Sequence, residues 1–237
     1  MPYRKFTLQN YFYLLAALRL TELTAEKRKI KRLNEEQQVS CVLGAVTASV
    51  AFLECSINGL FAHAASRIGR QTNYRKLLSS LYHDKLKFAN LPWLTKYQAA
   101  LALAHKPVFE LGKEPYQAAD LLNQLRNELM HPKEIFAGVD AWSNVPFGTK
   151  LEKTSLEKRL TGRFKFNAAE KDEEFIPHLC LSPDCAYWAV ETAAKFYIEF
   201  DSRLPTTAYF HGSLRQHAHE MLAELRKLKF SEKKGSV

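Results

Sequence analysis

This sequence predicts an all-α fold, an antiparallel helical bundle with an irregular insertion before its last two helices. Three observations predict it. Apolar residues recur at steps of three and four over most of the chain, no region is rich in strand patterns, and several prolines fall where helices begin or stop. The 237 residues suit one domain, with core helices over about 8–135 and 184–230 and an irregular segment over 136–183. A composition of 46% hydrophobic and 25% charged residues is that of an ordinary packed protein rather than a disordered one.

The first helix is read from Tyr11, Phe12, Leu14, Leu15 and Leu18, and a basic run from Lys27 to Arg32 follows it. The second is the clearest. Val39, Val42, Val46, Val50, Leu53, Ile57 and Leu60 make one apolar ladder, and Thr47, Ala51, Glu54, Asn58 and Ala62 make a second ridge beside it. Small residues on that ridge let another helix approach, so Glu54 and Asn58 are expected to face protein and to need polar partners. Val42–Ala65 nears transmembrane length, but Glu54 at its centre would cost roughly 2.5–3.5 kcal/mol in a bilayer, so a core helix is expected and no membrane.

A third helix is expected over Asn73–Phe88. A fourth begins at Pro92, contacts the core through Leu94, Tyr97, Leu101 and Leu103, and stops at Pro107; a fifth runs from Pro115 to about Met130. Gly138, Pro146, Gly148, Gly162 and Pro177 break the period over 136–183, where a short helix at Ser155–Leu160 is expected. Trp142, Phe147, Phe164, Phe166 and Phe175 call for burial, so this segment is expected to be an ordered insertion or a long connection rather than a flexible linker. Ser182, Pro183 and Asp184 have the chemistry of a helix start, with Ala186, Ala189, Ala193, Phe196 and Phe200 on the apolar face before Leu204-Pro205. Ser213 is expected to cap a last helix whose core face is Leu214, Met221, Leu225 and Leu228, with a frayed tail beyond Phe230.

Chemistry concentrates on the fifth helix. Ala118, Leu122, Leu125 and Leu129 face the core, while Asp120, Gln124, Asn127 and His131 share a polar stripe. Arg126 falls between the two, where a guanidinium wants a counter-ion or a bound anion. Pro132 pushes His131 out of helical geometry, which makes His131 the helix end. The carbonyl end of a helix carries partial negative charge and suits a cationic side chain. An imidazole can give or take a proton near neutral pH, and an arginine can grip a phosphate with two hydrogen bonds.

The segment Leu125-Arg126-Asn127-Glu128-Leu129-Met130-His131 resembles the signature of the HEPN family (higher eukaryote and prokaryote nucleotide-binding domains): an Arg usually followed by a polar residue, with four to six residues between the Arg and a His, here four. The resemblance covers mainly residues 39–135 and, more loosely, 184–201. It implies a helical bundle whose earlier helix lends polar residues to the site, here Glu54 and Asn58. It also implies a homodimer in which two such motifs meet in one cleft to cut RNA without metal. By that resemblance Arg126 stabilises the phosphate, His131 serves the attacking or leaving oxygen, and Asn127 orients. Some family toxins carry a tyrosine two residues after the His, which a partner enzyme modifies. Lys133 stands there instead, which argues against that control and suits contact with a nucleic-acid backbone.

The plainer readings stand beside these. Arg126 and Glu54 also fit a structural ion pair, His131 a simple cap, and the whole chain a non-catalytic HEPN-like binding or dimerisation module. The formal charge of +9 suits an anionic partner such as RNA, and equally suits plain solubility. An antitoxin or another defence-system protein is the further partner the resemblance implies. Cys41, Cys55, Cys180 and Cys185 form no Cys-x-x-Cys pair and Met1–Lys5 precedes no cleavage site, so free thiols in a cytoplasmic protein are expected, with Cys41 and Cys55 as small buried hydrophobes. His178, Cys180 and Cys185 lack a zinc spacing, and no metal is expected. No glycine-rich phosphate loop, Gly-x-Ser-x-Gly elbow or His-Glu-x-x-His motif occurs, and no cofactor is expected. Tyr74, Tyr82, Trp93 and Tyr97 could stack bases, but their spacings suit a core better.

Overall fold

A computed structural model describes residues 3–30, 34–66, 72–131, 155–167, 175–204 and 212–234. The described chain is mostly helical: α1 (Tyr3–Ile30), α2 (Glu35–Ala65), α3 (Asn73–His83), α4 (Lys85–Asn90), α5 (Trp93–Leu103), α6 (Tyr116–Met130), α7 (Ser155–Leu160), α8 (Pro183–Arg203) and α9 (Gly212–Lys234). Among the described residues no strand forms, only an isolated bridge between Thr161 and Phe164.

α2 is the axle. A reciprocal cap starts it: the Gln37 amide donates to Asn34 Oδ1 at 2.8 Å, and the Asn34 amide donates to Gln37 Oε1 at 3.0 Å. Its expected ladder is buried from Val42 to Leu60, and α1, α3, α5, α6 and α8 pack around it. By length and composition α2 could cross a membrane, but half of its most apolar window is buried inside the protein. Gly44 lets α1 come close, since a Cβ there would lie 2.8 Å from Leu20 Cδ1.

α1 and α2 form a hairpin. α9 runs in the same direction as α1, because Tyr11 meets His217 at 4.7 Å and Thr21, Thr24 and Ala25 border one small cavity with Leu228. α8 fills the remaining side, with Phe52 edge-on to Tyr197 at 5.2 Å. Tyr97 of α5 sits at the centre of the packing. Its ring meets Phe196 at 4.9 Å and Phe200 at 4.5 Å, and its hydroxyl donates to the Leu53 carbonyl at 2.9 Å. Fully buried aromatics of this size dominate a core, and a buried Tyr hydroxyl needs such an acceptor.

Several boundaries differ from the periodicity. The third helix does not run unbroken to Phe88. Asp84 leaves helical geometry at ψ 73°, and the short α4 then turns Phe88 back onto Phe61 and Tyr82 at 4.9 and 5.2 Å. α5 stops before Pro107, at a turn where His105 takes φ 53° and the Lys106 amide reaches back to the Leu101 carbonyl at 3.0 Å. Pro115 precedes the first residue of α6 rather than being it. α9 begins at Gly212, before Ser213, and continues past Phe230 to Lys234. Cys41 and Cys55 are only half-buried, because they lie on the flank of α2 rather than on its ladder; the fully buried thiols are Cys180 and Cys185.

The start of α8 follows its sequence. Ser182 Oγ accepts from the Cys185 amide at 3.2 Å and Pro183 occupies the first turn. Of the irregular segment, Trp142 and Phe147 lie outside the described residues. Phe164, Phe166 and Phe175 pack against the core, Phe164 meeting Trp188 at 5.3 Å.

Candidate functional site

α6 is fixed to the bundle from three sides, and this decides which of its polar residues remain available. Leu121, Leu122 and Leu125 are buried against α2 and α8. From α5, Trp93 Nε1 donates to Asn123 Oδ1 at 2.8 Å. From above, the strap formed by α7 and the residues after it clips onto the polar stripe. Leu160 is fully buried, Arg159 donates to Gln124 Oε1 at 2.6 Å and pairs with Asp120 at 3.3 Å, and Arg163 pairs with Glu114 and donates to Gln117 Oε1 at 3.1 Å. The expected polar stripe is thus divided. Asp120 and Gln124 hold the strap, while Asn127 and His131 stay exposed at the helix end.

His131 terminates α6 as Pro132 requires: φ is −133° and ψ is 64°, and its amide still donates to the Asn127 carbonyl at 2.9 Å. Met130 beside it is an exposed large hydrophobe. Arg126 lies one turn back and turns toward α2, where its guanidinium pairs with Glu54. The side chains keep 21% and 36% of their accessible surface, so solvent and solutes reach the pair.

Glu54 and Asn58 occupy one ridge of α2, and both are half-buried as their small neighbours predict. Asn58 has a partner that the periodicity did not supply: Lys96 Nζ of α5 donates to Asn58 Oδ1 at 3.0 Å. Lys96 is only 6% exposed, and its ammonium lies 4.2 Å from the centre of the Phe88 ring. Burial pushes this ammonium below its ordinary pKa, and the negative charge of Glu54 opposes that shift. One signal in the sequence pointed here. Lys96 lies three residues after Trp93 and four before Ala100, on the apolar face of α5, where a lysine is out of place.

The structure therefore brings together Glu54, Asn58, Lys96 and Arg126, with Asn127 and His131 exposed beyond them. Among the described residues, no hydrogen bond joins the side chains of Arg126 and His131. Five residues of helix separate their backbones by roughly 7.5 Å along the axis and roughly 140° around it. Lys133 lies outside the described residues. Among the described residues, no three His, Cys, Asp or Glu side chains gather as metal ligands. His178 is exposed, while Cys180 and Cys185 are buried, and burial pushes the Cys185 thiol above its ordinary pKa.

No family model, curated protein or solved structure matches the chain.

Proposed function

We propose that this chain is a HEPN-like, cytoplasmic RNA-binding protein that acts as a homodimer and cuts RNA without metal at the end of α6. One observation carries the reading: Arg126 is braced by Glu54 at a solvent-reachable position, beside a helix end that leaves Asn127 and His131 exposed. An arginine fixed by a carboxylate is pre-oriented for a phosphate, and an exposed imidazole is free to move protons.

The nuclease needs Arg126 and His131 close together in a dimer cleft; within one protomer they lie apart around α6, so this reading requires a second copy to complete the site, for which exposed Met130 offers apolar surface. In this mechanism a 2′-hydroxyl gives its proton to one imidazole and its oxygen bonds to the adjacent phosphorus. The bond from phosphorus to the 5′-oxygen breaks, and that oxygen takes a proton from the other imidazole. The products are a 2′,3′-cyclic phosphate and a 5′-hydroxyl. Arg126 stabilises the charge on the phosphate, and Asn127 positions it. Such a nuclease fits a toxin or defence system with a partner protein that restrains it.

A second reading has its own support. The Glu54–Arg126 pair is also what a non-catalytic HEPN-like binding or dimerisation module would use to hold α2 against α6. Labelled RNA incubated in chelator with the wild type, Arg126→Ala and His131→Ala separates the two. Cleavage by the wild type that both substitutions abolish supports the nuclease. Binding without cleavage supports the module, and equal cleavage by all three excludes the α6 end as the site.

A further inference from the structure

The polar cluster between α2, α5 and α6 contains more positive than negative charge. Arg126 and Lys96 both act on the single carboxylate of Glu54, the first by direct pairing and the second through its field. Asn58 contributes a neutral oxygen and no charge. Two cations against one anion leave one positive charge uncompensated in a site that water only partly reaches.

Burying an ammonium is costly, and the fold recovers part of that cost through the Asn58 oxygen and the face of Phe88. A methionine or leucine in the same place on α5 would pack against Phe88 with no desolvation penalty. Lys96 is thus a poor choice for packing, and its charge acts on the same Glu54 carboxylate that Arg126 pairs with. In low dielectric its charge acts over a longer range than a surface lysine's.

We propose that Lys96 is a second cation of the α6 site, and that Glu54, Asn58, Lys96 and Arg126 together seat one phosphate group. Of the two cations Arg126 contacts the phosphate, because its side chain keeps 21% of its surface while Lys96 is only 6% exposed. Lys96 is a positioning residue. It anchors Asn58 and offsets the charge of Glu54, so that Arg126 stays ordered without being neutralised. The ligand class is a phosphate mono- or diester. The inference deepens the RNA reading above but requires no cleavage.

The test titrates inorganic phosphate into the full-length protein, and in parallel measures binding of a short labelled RNA in chelator. Lys96→Met keeps the stem and removes the charge; Glu54→Gln keeps the shape and removes the opposing charge. Lys96→Met is expected to weaken both phosphate and RNA binding about fivefold or more. Glu54→Gln is expected to tighten phosphate binding while slowing any cleavage, since Arg126 loses its brace. Exposed Lys165→Met on the strap serves as the control and should change phosphate binding less than twofold. The proposal is overturned if the wild type binds no phosphate, if Lys96→Met binds like the wild type, or if Glu54→Gln binds more weakly. Should Lys96→Met fail to fold, the direction of the Glu54→Gln change decides. Phosphate binding without RNA cleavage would keep this seat and end the nuclease, while cleavage indifferent to Lys96→Met would do the reverse.

Discussion

Separating the Glu54–Arg126 pair gives a quantitative handle on the site. The perturbations are Glu54→Gln, Arg126→Met and the double variant, which form a cycle that cancels side effects such as the field lost at Lys96. Breaking a fully buried pair costs about 3–5 kcal/mol, and an exposed pair contributes about 0.2–1 kcal/mol. With 21% and 36% of the two side chains accessible, this pair lies between those limits. It lies nearer the lower limit, because water screens both partners. The expected coupling is about 1 kcal/mol. For a chain of 237 residues that corresponds to a Tm decrease of about 2–4 °C from the lost pair. Thermal melts followed by circular dichroism, with urea titrations of the same four proteins, give the coupling. A value above about 3 kcal/mol would mean that Arg126 is sealed in the core and out of reach of a ligand. A value indistinguishable from zero would mean that Glu54 does not brace it. Either result refutes the reasoning.

Three further outcomes are expected. Tyr97→Phe removes the hydroxyl that reaches the Leu53 carbonyl at 2.9 Å and should cost about 1 kcal/mol in urea unfolding with an unchanged m-value. Leu160→Ala empties a fully buried position under the strap; a loss of about 2–5 kcal/mol, or faster tryptic cutting near Arg159 and Arg163 where the strap opens locally, is the signature. Burial, and then the charge of Arg75, lower His63 below its ordinary 6.5. Between the lowered value and 6.5 the unfolded chain holds a proton that the folded chain lacks, so stability rises with pH there and is lost as pH falls. Tm should therefore drop less between pH 7.5 and pH 5 in His63→Gln than in the wild type.

The helices that the sequence revealed best are those whose signals are local. The α2 ladder, the Ser182–Pro183–Asp184 start of α8 and the Pro132 stop each lie within a few residues, and each appears in the structure. The all-helical class follows from them. What stayed hidden depends on contacts distant in sequence. Nothing near Asp120 announces that Arg159, 39 residues on, will cover it, so the sequence shows one polar stripe on α6 and not that half of it holds the strap. What Lys96 does is not legible among the apolar residues of α5, because its partners Asn58 and Phe88 lie on other helices. The Asp84 break came as a change of direction within an otherwise helical composition, and the α4 turn that seats Phe88 depends on Phe61 and Tyr82. Of the candidate site, Glu54, Asn58, Arg126, Asn127 and His131 could be named in advance. Their division into a paired cluster and an exposed helix end could not, since it depends on how α5 and the strap pack.

The nuclease proposal is tested most directly with a single RNA oligonucleotide and its 2′-O-methyl counterpart, each incubated with the wild type in chelator and with the product ends identified by mass. The account predicts 2′,3′-cyclic phosphate and 5′-hydroxyl ends from the RNA, no cut in the methylated strand, and no products from His131→Ala. Cutting of the methylated strand, or cyclic-phosphate ends that persist in His131→Ala, would contradict it.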